Sequence, residues 1–388
     1  MRFVEKTKSI NYIKQFDYML FTAVLLLSFI GIAVLKSAIG EDGMSSTLLK
    51  QIICLALGIL LAIVISFLDY KDFKVLGVVL YVASILLLCL VLVPKVGITV
   101  NGSTSWLKLP VIGRFQPSEI AKVAFAVTVP VFFERLKDGK DITKNTIKLL
   151  IYAGIPIGLV VLQRDIGTSL VFLFSIVVML FIYGIPYRYF LIAIGACIAA
   201  APVLWFFVIP KYFSHIKDRI ISFLYPESDL LGAGMQVYRS KMTIGSGQLF
   251  GKGLFNGLQT HNSGSVASAY NVPFKQTDFI FSVIGEELGF IGSVAVIVII
   301  FFILLRCIYI ATQSRDAYGT FVVICIASML AFHFFENIGM CIGVLPVTGI
   351  PLPFVSQGGS SLVANYINVG LLLSVSMRRK KAIFNSSQ

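Results

Sequence analysis

Long, nearly uninterrupted apolar runs dominate this chain, in place of the alternation of a half-buried strand or the single stripe of a soluble helix. Runs of about 18 or more apolar residues read as helices that cross a bilayer. Ten such segments are predicted, at about 19–35, 48–68, 75–93, 117–134, 147–162, 167–184, 189–209, 279–305, 319–341 and 357–376. The fifth is short and carries Pro156, which a bundle tolerates when neighbouring helices re-satisfy the freed backbone groups. Two outer connections are long: Pro94–Gln116, and a segment at about 210–277 that is too long to be a simple connector. No internal repeat, low-complexity tract or second domain stands out. The expected architecture is an all-α polytopic membrane protein, with ten transmembrane helices in one domain over 1–388 and a large outer loop between helices seven and eight.

Composition agrees. The chain is 57% hydrophobic and only 13% charged, about half the charge of a soluble protein, so a set of soluble domains is excluded. The net charge of +13 invites a nucleic-acid reading, but its distribution argues against one. If the N-terminus lies inside, the inner segments hold more than half of the 32 Lys and Arg, led by "ERLKDGKDITKNTIK" and the tail "MRRKK". That is the positive-inside pattern, with both termini cytoplasmic. The six cysteines fall in or at the ends of spans and read as small packing residues, with no spacing for a metal or a disulfide framework. The first apolar run is full length and follows a basic segment, unlike a cleavable leader.

The outer loop breaks the charge rule. It holds Arg239, Lys241, Lys252 and Lys275, and "RSKMTIGSGQLFGKGLFNG" is rich in glycine. Successive N–H groups with cations nearby can cradle an anion, although such glycines are more often plain turns. In "RFQPSEIAK", Glu119 and Lys122 are three residues apart and share a helix face, suited to an ion pair; the alternative is that Arg114 and Lys122 meet an anionic substrate. Arg164 and Asp165 fall between two spans, as a turn or as a polar plug near a substrate path.

Charges inside a span are costly, at about 2.5–3.5 kcal/mol each on the insertion scale, so their presence points to function. In "PFKQTDFIFSVIGEELGFIG", Asp278 opens the eighth predicted span. A helix start favours its ionised form and water can reach it, so it can serve as a base. On a continuous helix Asp278, Ser282, Gly285, Gly289 and Gly292 form a polar and small-residue stripe. Glu286 and Glu287 lie deeper and point elsewhere, which suits structural pairing. His333, Glu336 and Asn337 have the spacing of an interhelical hydrogen-bond cluster. "TGIPLPF" followed by "SQGGSS" reads as a re-entrant turn, and Ser360 and Ser361 open the last helix, where free N–H groups could bind phosphate. An acid, cations and N–H-rich turns at one membrane face fit a lipid-linked, anionic, sugar-bearing substrate.

The motifs "QPSEIAK", "DIGTSL", "GSGQLFGKG", "TDFIFSVIGEELGFIG" and "NIGMCIGVLPVTGIPLPFVSQGGSS" resemble, in order and spacing, those of the SEDS family of RodA, FtsW and SpoVE. "FGKG" followed by "NG" and Gln259 is more similar to the RodA branch. The resemblance implies a peptidoglycan glycosyltransferase of the bacterial plasma membrane that polymerises lipid II at the outer face beside a class B penicillin-binding protein, a transpeptidase. It implies an essential aspartate at Asp278 and substrate contacts from Arg114, Glu119, Lys122, Asp165 and Gln236, with Arg239, Lys241, Ser360 and Ser361 as further candidates for the anion. Undecaprenyl diphosphate is the implied leaving group, lipid-linked glycan the donor, and a divalent cation, Mg2+ or Mn2+, a candidate helper. Arg164, Gln248 and Gln357 replace the family's usual proline, glycine and tyrosine. The rival expectations are a lipid II flippase, dependent on the deep charges, and a non-catalytic scaffold for a transpeptidase.

Overall fold

The computed structural model describes residues 15–40, 46–100, 102–109, 113–139, 141–212, 214–225, 232–258 and 272–379. The chain is a helical bundle with one small sheet. The helices are α1 (Tyr18–Ile39), α2 (Ser46–Phe67), α3 (Phe73–Val91), α4 (Pro117–Lys137), α5 (Ile142–Leu162), α6 (Ile166–Tyr183), α7 (Tyr187–Val203), α8 (Ser214–Leu224), α9 (Ala233–Ser246), α10 (Ile280–Gln313), α11 (Ala317–Cys341) and α12 (Gly359–Met377). A π-helical stretch, Leu204–Val208, and a last turn to Tyr212 prolong α7.

Among the described residues nine helices are long and apolar enough to cross a membrane. The fourth predicted span, 117–134, is the one of the ten not among these nine, and it forms α4. It has the length, 21 residues, but carries Glu119, Lys122, Glu134, Arg135 and Lys137. It is also among the most enclosed helices, and α3, α5 and α11 pack around it. Its charges are tolerable because protein, and not lipid, surrounds its inner turns. Ser118, Glu119 and Lys122 are all buried. At the other extreme, no residue of α7 is buried.

Among the described residues both long connections carry regular structure. The first holds β1 (Gly97–Val100), β2 (Ser103–Leu109) and β3 (Gly113–Phe115), an antiparallel sheet in that order, with Leu107 opposite Phe115 and Lys108 opposite Arg114. Gln163 ties this sheet to the bundle: its carbonyl accepts from Thr104 N–H at 3.0 Å, and its side-chain amide donates to the Leu88 carbonyl at 2.9 Å. The second connection contributes α8 and α9. Residues 259–271, Gln259 of the RodA-like motif among them, lie outside the described residues.

The glycine-rich segment has a different use from an anion cradle. α10 is broken at Gly289, whose φ of 68° and ψ of −165° belong to glycine alone. A break leaves two carbonyls and two N–H groups without helical partners at membrane depth, where each unsatisfied group costs several kcal/mol. The segment after α9 supplies all four. Lys252 and Gly253 N–H donate to the Glu286 and Glu287 carbonyls at 3.0 and 2.9 Å. Phe290 and Ile291 N–H donate to the Gln248 and Leu249 carbonyls at 2.8 and 3.1 Å. The approach is close because glycine meets glycine: a Cβ at Gly247 would lie 1.9 Å from the Gly285 carbonyl oxygen, and one at Gly251 2.2 Å from that of Glu287. The predicted stripe along α10 is therefore interrupted at this break, and its Gly285 and Gly289 serve the close approach of the loop.

Glu286 and Glu287 are structural, as their depth implied. Lys252 Nζ reaches Glu286 at 2.6 Å, and the Ser37 hydroxyl of α1 donates to Glu287 at 2.5 Å. The cysteines are free, with Cys307, Cys325 and Cys341 buried.

Candidate functional site

Asp278 lies two residues before α10, and its backbone is clamped from two sides. Asn337 of α11 donates to the Asp278 carbonyl at 2.7 Å and, with the same amide, to the Ile350 carbonyl at 2.8 Å. Ser356 donates to the Thr277 carbonyl at 2.6 Å while accepting from Leu352 N–H at 2.8 Å. Gln357 N–H donates to the Gln276 carbonyl at 2.9 Å. The re-entrant segment 348–358 thus lies directly against the chain that carries Asp278. Gly349, at φ 81°, faces the carboxylate, and a Cβ there would stand 3.6 Å from Asp278 Oδ2. An irregular backbone at this depth is satisfied by protein, as the membrane requires.

Three charged groups share the field of Asp278. Arg219 comes from α8, and its guanidinium donates to the Thr348 carbonyl at 2.9 Å. Thr348 Oγ1 in turn donates to Glu336 of α11. Asp165 caps α6, accepting from Thr168 N–H at 3.1 Å, and its other oxygen accepts from the Gln116 amide at 3.0 Å. Burial pushes the Asp278 carboxyl up to about 6, the Thr277 hydroxyl and Arg219 pull it back, and Asp165 pushes it further up. Burial draws Arg219 below the usual guanidinium value, while Asp278, Asp165 and Glu336 act in the opposite direction. A carboxylate held near neutral pH beside a guanidinium is suited to proton transfer.

The other sequence candidates fall into three groups. Glu119 and Lys122 form the predicted pair at 3.0 Å, and Lys122 also donates to His333 Nε2 at 3.1 Å. His333 precedes Glu336 and Asn337 by one turn of α11, so this buried triad joins the helix whose Asn337 holds the Asp278 carbonyl. Arg114 is exposed on β3, and Gln236 and Arg239 are half-buried on α9. Between Arg239 and Lys241, Ser240 donates to the Cys341 carbonyl at 2.7 Å, which fixes α9 against the end of α11. Lys241 lies along Gly343 in the turn after α11, 2.7 Å from where a Cβ would be. Ser360 and Ser361 begin α12 near α2: Gly358 N–H donates to Gln51 at 3.1 Å, and Ser361 accepts from Asn365 at 3.3 Å.

Two residues escaped the sequence reading. Arg219 has no local signal, because its contact at Thr348 is 129 positions away. Thr348 looked like part of a turn. Arg164 also differs from expectation: its φ is 61°, a conformation that a proline ring forbids, so this turn is not a simple replacement of the usual proline. Gln248 keeps a glycine-like φ of 51°.

A broken span, a re-entrant segment and an acid at the helix mouth define a polytopic membrane protein with a polar site at one end of its bundle. The chain belongs to the cell cycle protein family of FtsW, RodA and SpoVE, whose profile it matches over residues 16–381. Among its relatives, the peptidoglycan glycosyltransferase MrdB of Escherichia coli is 36% identical over 348 residues, 89% of this chain and 90% of that protein. A probable peptidoglycan glycosyltransferase FtsW of Trichlorobacter lovleyi is 33% identical over 376 residues, 95% of each chain. In solved structures, a chain of a peptidoglycan synthase complex that coordinates polymerization and crosslinking superposes with a TM-score of 0.77 at 31% identity, covering 93% of this chain and 97% of that one. The rod shape determining protein RodA of Thermus thermophilus gives 0.67 at 28%, covering 94% and 98%.

Proposed function

We propose that this chain is a peptidoglycan glycosyltransferase of the bacterial plasma membrane, RodA-like and serving cell elongation and shape, with Asp278 as its general base. The observation that carries the assignment is the setting of Asp278: a backbone fixed at the end of a span, a carboxyl raised to about 6, and Arg219 within electrostatic reach. Its ionised form takes the proton of the 4-hydroxyl of the acceptor GlcNAc on lipid II. That oxygen attacks the anomeric carbon of the lipid-linked glycan, and undecaprenyl diphosphate departs with inversion. A positioned base contributes typically 10²–10⁴-fold.

Negative charge grows on the departing diphosphate and must be stabilised. Arg219 is the nearest cation to Asp278 in the electrostatic sense, and Arg114, Arg239 and Lys241 are on elements that border the same end of the bundle. Ser360 and Ser361, with Gln236, complete the candidate substrate contacts. Asp165, Glu119 and Lys122 are further candidate substrate contacts, held in place through Gln116 and His333. Among the described residues no three His, Cys, Asp or Glu side chains converge as metal ligands. A divalent cation, Mg2+ or Mn2+, would enter on the substrate's own phosphates, since Mg2+ commonly takes one or two carboxylates plus phosphate oxygens. The termini are assigned to the cytoplasm by the positive-inside pattern. A class B penicillin-binding protein is the assigned partner, to crosslink the strands as they form; the likeness to a synthase-complex chain supports it.

The test is glycan-strand synthesis from purified lipid II, with and without the cognate transpeptidase, by wild type and Asp278→Asn. Polymer from wild type alone is expected. Polymer from both would remove Asp278 as the base. Polymer from neither, with partner and cation supplied, would shift the assignment to lipid transport or scaffolding.

A further inference from the structure

A cavity of about 480 Å³ opens at the end of the bundle remote from Asp278. α4 fixes the separation. It starts beside Gln116, which bonds Asp165, and ends 20 residues later at Lys137, so about 30 Å of helix lies between the two ends, the thickness of a hydrocarbon core. The cavity sits where the start of α3, the end of α4 and the start of α5 meet, and its lining is entirely polar.

Its charges are unequal. Lys74 and Glu134 neutralise each other at 2.6 Å, with Lys74 also 4.6 Å from the Tyr318 ring centroid. The remaining walls carry Arg135, Lys144 and Lys148 against Asp138 and Asp141. Lys144 and Lys148 are four apart on α5, so they repel each other across one turn, and neither makes an ion pair among the described residues. Along the same stripe of α5 follow Ile151 and Ile155, 50% and 42% exposed. At 1.5 Å per residue, Ile155 lies roughly 10 Å past Lys148, within one leaflet of about 15 Å. One helix face therefore presents two cations over a polar cavity, then apolar surface running into the membrane.

We propose that this cavity binds the phosphate headgroup of an anionic glycerophospholipid, with an acyl chain along Ile151 and Ile155. Basic pockets between spans at a membrane surface take such headgroups. The apolar continuation is what selects a lipid over a free phosphate.

The experiment is native mass spectrometry of the protein extracted from vesicles of equal phosphatidylcholine and phosphatidylglycerol. Wild type should keep phosphatidylglycerol in clear excess. The double variant Lys144→Gln/Lys148→Gln should lose that preference by on the order of 30-fold, from about 1 kcal/mol per cation at the surface. Lys137→Gln removes a neighbouring charge that does not line the cavity and should leave the preference intact. Equal preference in wild type and the double variant overturns the proposal. So does an equal loss in Lys137→Gln, which would mean net charge alone, and so does displacement of the lipid by inorganic phosphate, which would mean a soluble anion site. Thermal unfolding of each variant confirms that the proteins compared are folded.

Discussion

Replacing Gly289 with Ala tests the stitch across the broken span. The backbone there has φ 68° and ψ −165°, which costs a residue with a side chain about 1–3 kcal/mol. The added methyl would stand 2.2 Å from Gly251 N, 2.7 Å from the Phe250 carbonyl carbon and 2.8 Å from the Leu249 carbonyl oxygen. All three are backbone atoms, so no side chain can swing aside; the loop must retreat by about an ångström to reach ordinary contact. That retreat lengthens the four hydrogen bonds at 2.8–3.1 Å, each worth about 1 kcal/mol net. The total loss is roughly 5 kcal/mol, a large share of the 5–15 kcal/mol of a typical fold. Buried Cys307, Cys325 and Cys341 provide the readout: a thiol-reactive dye reports their exposure on heating, after exposed thiols are blocked. The melting temperature should fall by on the order of 10 °C. Gly154→Ala is the control, because nothing lies within 4 Å of its added methyl and the helix favours alanine by about 1 kcal/mol. Equal melting of the two variants would refute the stitch.

Other outcomes follow from the site. Glycan synthesis should lose rate as pH falls through about 6, as the base takes up its proton, and Arg219→Gln should move that limb to higher pH, since Arg219 pulls the Asp278 carboxyl down; an unmoved limb in pH–rate profiles would separate the two groups. Because the folded-state value of Asp278 is raised above its ordinary 3.8, its contribution to stability is present below that value and is lost as pH rises through about 6. Asp278→Asn should therefore unfold at a higher temperature than wild type at pH 8, with the gap closing towards pH 4. Lys252→Met removes the ammonium 2.6 Å from the buried Glu286 carboxylate and should destabilise the protein by about 3 kcal/mol, seen in the same dye assay.

The spans were legible because bilayer thickness imposes a length and a polarity on each, and both are written in one continuous stretch of sequence. Asp278 was legible for a similar reason, as a charge placed where the apolar run begins. The strands β1–β3 were not, since segments such as "GITV" are too short to announce themselves. The use of the glycines was hidden as well: sequence shows where a backbone can be approached closely, not what approaches it. Gly251 and Gly289 meet only because α9 lays its trailing loop on α10. Arg219 depends in the same way on a fold that brings α8 over the turn at Thr348.

The burial of α4 has a consequence for how the protein is made. Glu119 and Lys122 near its start, and Glu134, Arg135 and Lys137 near its end, each oppose entry into lipid. A charge costs about 2.5–3.5 kcal/mol at a helix centre and less towards the ends, and five such charges stand against the helix's modest apolar content. α4 therefore cannot partition from the translocon as a solitary segment. It must leave together with a neighbour such as α3 or α5, so that the Glu119–Lys122 pair forms before lipid is met. The order of assembly, and not only the final fold, is written into this helix.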